Sequence, residues 1–143
     1  MNTITPRTRV EDEPMKRTQI NPWSWQDSIG FSHAIRLDQP DALIVVAGQT
    51  GVDDDGNVIH PDDFEAETRL MFKNMATTLQ GSGATLDDVV KLTVFLLDLE
   101  AHNDPFNAIK REYFAQPPAQ STIGVTALAA PGLQLEVEAL AVV

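Results

Sequence analysis

Apolar positions along the chain change period several times, and each change marks an element. Ser32 to Leu37 and Leu43 to Gln49 are short β-rich runs around the turn formers Asp38-Gln39-Pro40-Asp41, a pattern that predicts a hairpin. The second run, Leu43-Ile44-Val45-Val46-Ala47, is apolar at every position, so its strand needs cover on both faces. Asp53-Asp54-Asp55-Gly56-Asn57 is turn chemistry, and it does not fit a calcium loop, which requires Gly and Glu where Val58 and Phe64 stand. Pro61 to Gln80 predicts a helix: Asp62 and Asp63 suit its N-terminal dipole, and Phe64, Met71, Met75 and Leu79 fall on one face as packing residues. Gly81 and Gly83 end it.

Thr85 to Asp88 then caps a turn that leads into Val89–Leu97, an unusually apolar strand. Asp104-Pro105 reads as the start of a second helix, with Phe106, Ile109 and Tyr113 on one face and a stop before Pro117-Pro118. Ser121 to Val125 and Leu133 to Val142 are the last strands, parted by a Pro131-Gly132 turn. The order ββαβαββ predicts an α+β layer fold, two helices against one face of a mainly antiparallel or mixed sheet. In the last strand Leu133, Leu135, Val137, Ala139, Ala141 and Val143 form one face, and Gln134, Glu136, Glu138, Leu140 and Val142 the other. Two helices cover only one side of such a sheet, so a second copy of the chain, or the N-terminal segment, must cover the rest. Residues 1–15 mix Thr, Pro, Arg and a Glu-Asp-Glu run without periodicity, which marks a flexible extension ahead of a single domain over 16–143.

Composition narrows the chemistry. The 143 residues suit one core, and no apolar run approaches the ~18 residues that span a bilayer, so the expected address is the cytoplasm, with no membrane partner. Cysteine is absent, which removes thiolate catalysis and Cys-rich metal sites. A net charge of −11 repels phosphate backbones and argues against a nucleic-acid partner. His33, His60 and His102 are isolated, with neither metal-ligand spacing nor a carboxylate at helical register. Gly81-Ser82-Gly83 lacks the lysine of a phosphate loop. Trp23 and Trp25 suit packing more than a pocket wall.

Several blocks taken in order resemble one known family: Ala47-Gly48-Gln49; the run from Gly83 to Leu96, with Leu92-Thr93-Val94-Phe95 at its heart; Pro118-Ala119 before Ser121; and Pro131-Gly132-Leu133-Gln134-Leu135-Glu136-Val137-Glu138-Ala139. The resemblance, from about Ile29 to the C-terminus, is to the Rid (YjgF/RidA) family. It implies a chorismate-mutase-like fold, a homotrimer whose sheets form a central barrel, clefts between subunits, no metal or organic cofactor, and hydrolysis of reactive imines and enamines. It also implies site roles. Glu136 matches the acidic residue that holds the attacking water, Asn107 an asparagine near the cleft, and Gly48 a residue whose backbone approaches the ligand. Phe31 stands where archetypal members carry tyrosine, and Thr122 where many carry cysteine or another small residue.

Gln120 departs from the pattern, because the archetypal deaminases carry arginine there to clamp a carboxylate. A neutral amide replaces a charged fork, and the loss is worth about tenfold or more in carboxylate affinity. The expected substrate is thus a small imine, enamine or related compound other than a typical imino acid. The competing expectation is a metabolite-binding or regulatory trimer that uses the same cleft without catalysis.

Overall fold

A computed structural model describes residues 13–143, so most of the expected extension lies outside the described residues. Strands β1 (Lys16–Ile20), β2 (Ala34–Asp38) and β3 (Leu43–Gln49) precede helix α1 (Phe64–Gln80); β4 (Val89–Leu96), α2 (Leu99–Lys110), β5 (Ala119–Gly124) and β6 (Leu135–Val142) follow. The main sheet has the order β3-β6-β4-β5, with β4 and β5 parallel and the other neighbours antiparallel. Two helices pack on one face of this mixed sheet, the α+β layer arrangement that the patterning predicts.

The hairpin expected between Ser32–Leu37 and Leu43–Gln49 does not form. β2 pairs with β1, and β3 pairs with β6. Composition accounts for the difference: the apolar β3 takes an edge of the four-stranded sheet, whereas β2, with Arg36 and Asp38, suits the polar Lys16–Ile20. Gln39, at φ 60°, turns the chain between the two sheets.

Both helices begin elsewhere than the composition suggests. Asp63 caps α1, accepting from the Ala66 amide at 3.0 Å, so Pro61 and Asp62 lie in the preceding turn. Asp98 caps α2, accepting from the Ala101 amide at 3.0 Å, and Pro105 lies inside the helix instead of opening it. A good cap one and a half turns upstream prevails over the proline signal. The Thr85 to Asp88 cap forms as read, with the Thr85 amide donating to the Asp88 carboxylate at 2.8 Å.

Met71, Phe72, Met75 and Leu79 of α1 and Phe106 of α2 are buried against Leu92, Val94 and Leu96 of β4 and Leu135, Val137, Ala139 and Ala141 of β6. Each of the larger of these side chains contributes about 1.5–3 kcal/mol by leaving water, and the two alanines less. The other face of the sheet is bare: Val45 is 74% exposed, Leu43 62% and Ile123 44%. Neither β1 nor β2 covers them. Trp23 and Trp25 are not core residues either. They stand out from the surface and meet His33 edge to face, Trp25 touching Phe31 as well. Among the described residues no helix is long and apolar enough to cross a membrane.

Candidate functional site

The residues singled out in the sequence fall into two groups. The first is built by the C-terminal turns of α2, the edge strand β5 and the loop before β2. Gln120 donates through Nε2 to Thr122 Oγ1 at 2.9 Å and to Asn107 Oδ1 at 3.2 Å. Beneath them lies Lys110, whose Nζ donates to Gln120 Oε1 at 2.6 Å, to the Gly30 carbonyl at 2.7 Å and to Asn107 Oδ1 at 3.3 Å. The loop carrying Gly30 is held to β5 by Ser32, whose amide donates to Pro118 O at 3.0 Å and whose hydroxyl donates to Pro117 O at 2.7 Å. Gly30 sits at φ 88° with the Arg111 guanidinium 3.1 Å from where a Cβ would stand, so only glycine fits without strain. Phe31 follows directly, half-buried against Trp25 and His33. An open cavity of about 610 Å³ adjoins this group, lined by Ser28, Ile29, Asn103, Asp104, Asn107 and Arg111 among others.

The second group is Glu136 on β6 with Gly48 on β3. A bulge between Val46 and Gln49 brings the Gly48 backbone under the half-buried Glu136 carboxylate. A Cβ on Gly48 would stand 2.5 Å from Glu136 Oε1, closer than atoms can approach. Glu138, two residues on, is exposed on the same face.

Register separates the two groups. Leu92 of β4 lies opposite Gln120 on one side and Ala139 on the other, and all three share the helix-covered face. Phe95 lies opposite Glu136, which places that carboxylate on the bare face. Glu136 and Gln120 thus look away from one another across a single sheet. One copy of the chain therefore does not bring the two groups together.

Two buried charged residues escaped the reading of the sequence. Glu67 accepts the Gln134 and Leu135 amides at 2.9 and 3.2 Å, fixing the entry to β6, and burial pushes its carboxyl above the ordinary range. Lys110 is only 1% exposed, and burial, aided by the neighbouring Arg111 charge, brings its ammonium down to about 8. Both were visible as anomalies: Glu67 stands one turn after Phe64, and Lys110 one turn after Phe106, each at a register that otherwise holds apolar side chains.

The Lys110 shift has a sign that can be measured. The folded chain binds this proton less tightly than the unfolded chain, so between pH 8 and 10.5 the unfolded state holds more protons and stability rises with pH. The expected gain is up to about 3 kcal/mol, following from ~1.4 kcal/mol per pH unit. Chemical unfolding of the native chain and of Lys110→Met across that range checks it, because the rise should be confined to the native chain.

His33, His60 and His102 remain apart, His102 stacking on Phe64 with centroids 3.9 Å apart. Among the described residues no three His, Asp or Glu side chains gather as a metal site would require.

The two-helix layer on a mixed β3-β6-β4-β5 sheet is the arrangement of a known class of small α+β proteins. The chain belongs to the YjgF/Rid family: residues 26–143 match the family model described as Endoribonuclease L-PSP. It is 36% identical over 114 residues to the RutC family protein YjgH of Escherichia coli, covering 78% of this chain and 81% of that one. It is 32% identical over 113 residues to the mouse 2-iminobutanoate/2-iminopropanoate deaminase, covering 78% and 80%. The crystal structure of the Rid family protein YyfB from Yersinia pestis superposes with a TM-score of 0.81 at 34% identity, covering 89% of this chain and 98% of that one. Relatives in this family thus include proteins named as imine deaminases.

Proposed function

We propose that the chain is a homotrimeric hydrolase of small imines or enamines, working in clefts where the Gln120 group of one copy meets Glu136 of the next. The observation that carries this reading is the placement of Glu136, half-buried on Gly48 beside a bare apolar sheet face that one copy leaves exposed. Kinship with proteins named as 2-iminobutanoate/2-iminopropanoate deaminases supports the reaction class.

In the proposed reaction an enamine first takes a proton on carbon to become an iminium ion, the protonated form of the imine. Water held by Glu136 then adds to the C=N carbon, its surplus proton passing to the Glu136 carboxylate. The nitrogen takes up protons and leaves as ammonia while the carbonyl forms. Asn107, the Gly48 backbone and Thr122 orient the substrate, and Phe31 walls the cleft. No step calls on a metal or an organic cofactor. A substrate other than a typical imino acid fits the Gln120 group, because both Nε2 hydrogens are already donated to Asn107 and Thr122. The same closure favours a second reading, a trimer that binds a metabolite without turning it over.

Ammonia release from neutral imines and from 2-iminobutanoate, generated in place by an oxidase, separates the two. Turnover of the neutral imine in preference to 2-iminobutanoate is the expected result; saturable binding without ammonia identifies the binding module. Gly48→Ala should lower turnover by about 10²-fold, since displacing a reacting group by ~1 Å has effects of that size. Its melting temperature should move little, because the obstructed atoms are the end of a flexible side chain. An unchanged rate in that variant would detach Gly48 from the site.

A further inference from the structure

Among the described residues Lys110 is a buried cation without a counter-ion. Its three hydrogen-bond partners, the Gly30 carbonyl, Asn107 Oδ1 and Gln120 Oε1, are all neutral. Among the described residues no carboxylate lies within ion-pair distance of it, and the charge that bears on it, Arg111, is another cation, which donates to the Ser28 carbonyl. A buried ammonium of this kind persists only where every proton finds an acceptor, and here three acceptors converge on it.

That demand reaches position 120. The Gln120 amide is turned so that its oxygen faces Lys110, and its nitrogen therefore faces Asn107 and Thr122. The Asn107 oxygen receives both Lys110 and Gln120, which sends its own amide hydrogens toward Asn103 Oδ1 at 3.4 Å. An arginine at 120 would bring a second fixed charge against the buried ammonium and remove the shortest of its bonds.

We infer that Lys110 is the specificity-determining residue of the cleft: it requires a neutral or acidic side chain at position 120, and so leaves the ligand the Thr122 hydroxyl hydrogen in place of a cationic fork. The specificity half of this inference rests on the proposed cleft. The coupling half rests only on the geometry around Lys110.

The experiment compares Gln120→Glu and Gln120→Arg, each with Lys110 present and in a Lys110→Met chain, by melting temperature and by calorimetric binding of 2-oxobutanoate. With Lys110 present, the near-isosteric Gln120→Glu chain should melt roughly 5–10 °C above the Gln120→Arg chain, a spread expected for a few favourable or unfavourable charge contacts. In the Lys110→Met chain the difference should close, and Gln120→Arg should there bind 2-oxobutanoate about tenfold or more tightly than the native chain, the gain of a charge-assisted fork over a neutral bond. Gln120→Arg melting level with Gln120→Glu while Lys110 is present, or binding 2-oxobutanoate as tightly alone as in the double variant, overturns the inference.

Should a Lys110→Met chain not fold, an NMR titration of the Lys110 amine decides it. The ammonium should titrate at higher pH in Gln120→Glu than in the native chain, and an unmoved titration overturns the coupling. Loss of all imine turnover with these orders intact would refute the hydrolase reading and spare the coupling.

Discussion

Glu136→Gln is expected to abolish nearly all imine hydrolysis, lowering turnover by about 10²–10⁴-fold, the range that a positioned proton acceptor supplies. The substitution keeps the size and shape of the side chain, and therefore its seat on the Gly48 backbone, but removes the charge that receives the proton of the attacking water. Glu136 lies on the bare face of β6, away from the core layer of Val137 and Ala139, so folding should be little affected. Ammonia release together with melting temperature checks both halves. A Glu136→Gln chain that hydrolyses imines at the native rate would remove the carboxylate from the mechanism.

The second large effect concerns assembly. Val45→Asp should convert the proposed trimer to single chains, with loss of turnover. Val45 is 74% exposed in one copy, so the substitution costs the isolated fold little, as surface changes usually do. In an assembly that buries Val45, Leu43 and Ile123 against other copies, the same aspartate would be an unpaired charge out of water, at several kcal/mol per chain. Light scattering should show the mass fall from three chains to one. A variant that keeps the native mass would place the contact surface elsewhere.

The fold was legible where apolar spacing is strong. The unbroken apolar run of β3 specifies a strand, while Met71, Met75 and Leu79 on one helical face and the alternation of β6 each specify an element and the face it buries. The capping residues Thr85 and Asp88 were legible for the same reason, since the exchange between them is local. What was hidden depends on contacts distant in sequence. β1 has too little apolar content to announce itself, and it finds β2 only across the intervening loop. Asp98 opens α2 because its carboxylate accepts the Ala101 amide, an exchange that the spacing around Pro105 does not reveal.

The site divided in the same way. Glu136, Gly48, Gln120, Asn107, Thr122 and Phe31 were named by family resemblance, and the fold brings Glu136 to Gly48 and Gln120 to Asn107 and Thr122. That these are two groups on opposite faces follows only from strand register. Lys110, a polar residue at a core register of α2, acquires its meaning only once β5 is packed against that helix.

Mixing two inactive chains tests the shared cleft most directly. Glu136→Gln chains and Asn107→Leu chains, unfolded together in equal amounts and refolded, would form mixed trimers in which about a quarter of the clefts combine an intact Glu136 from one copy with an intact Asn107 from its neighbour, as random cyclic assembly requires. Recovery of about a quarter of native ammonia release is the predicted result. Activity no greater than the sum of the two variants refolded separately would mean that each chain works alone, contrary to a site completed by its neighbour.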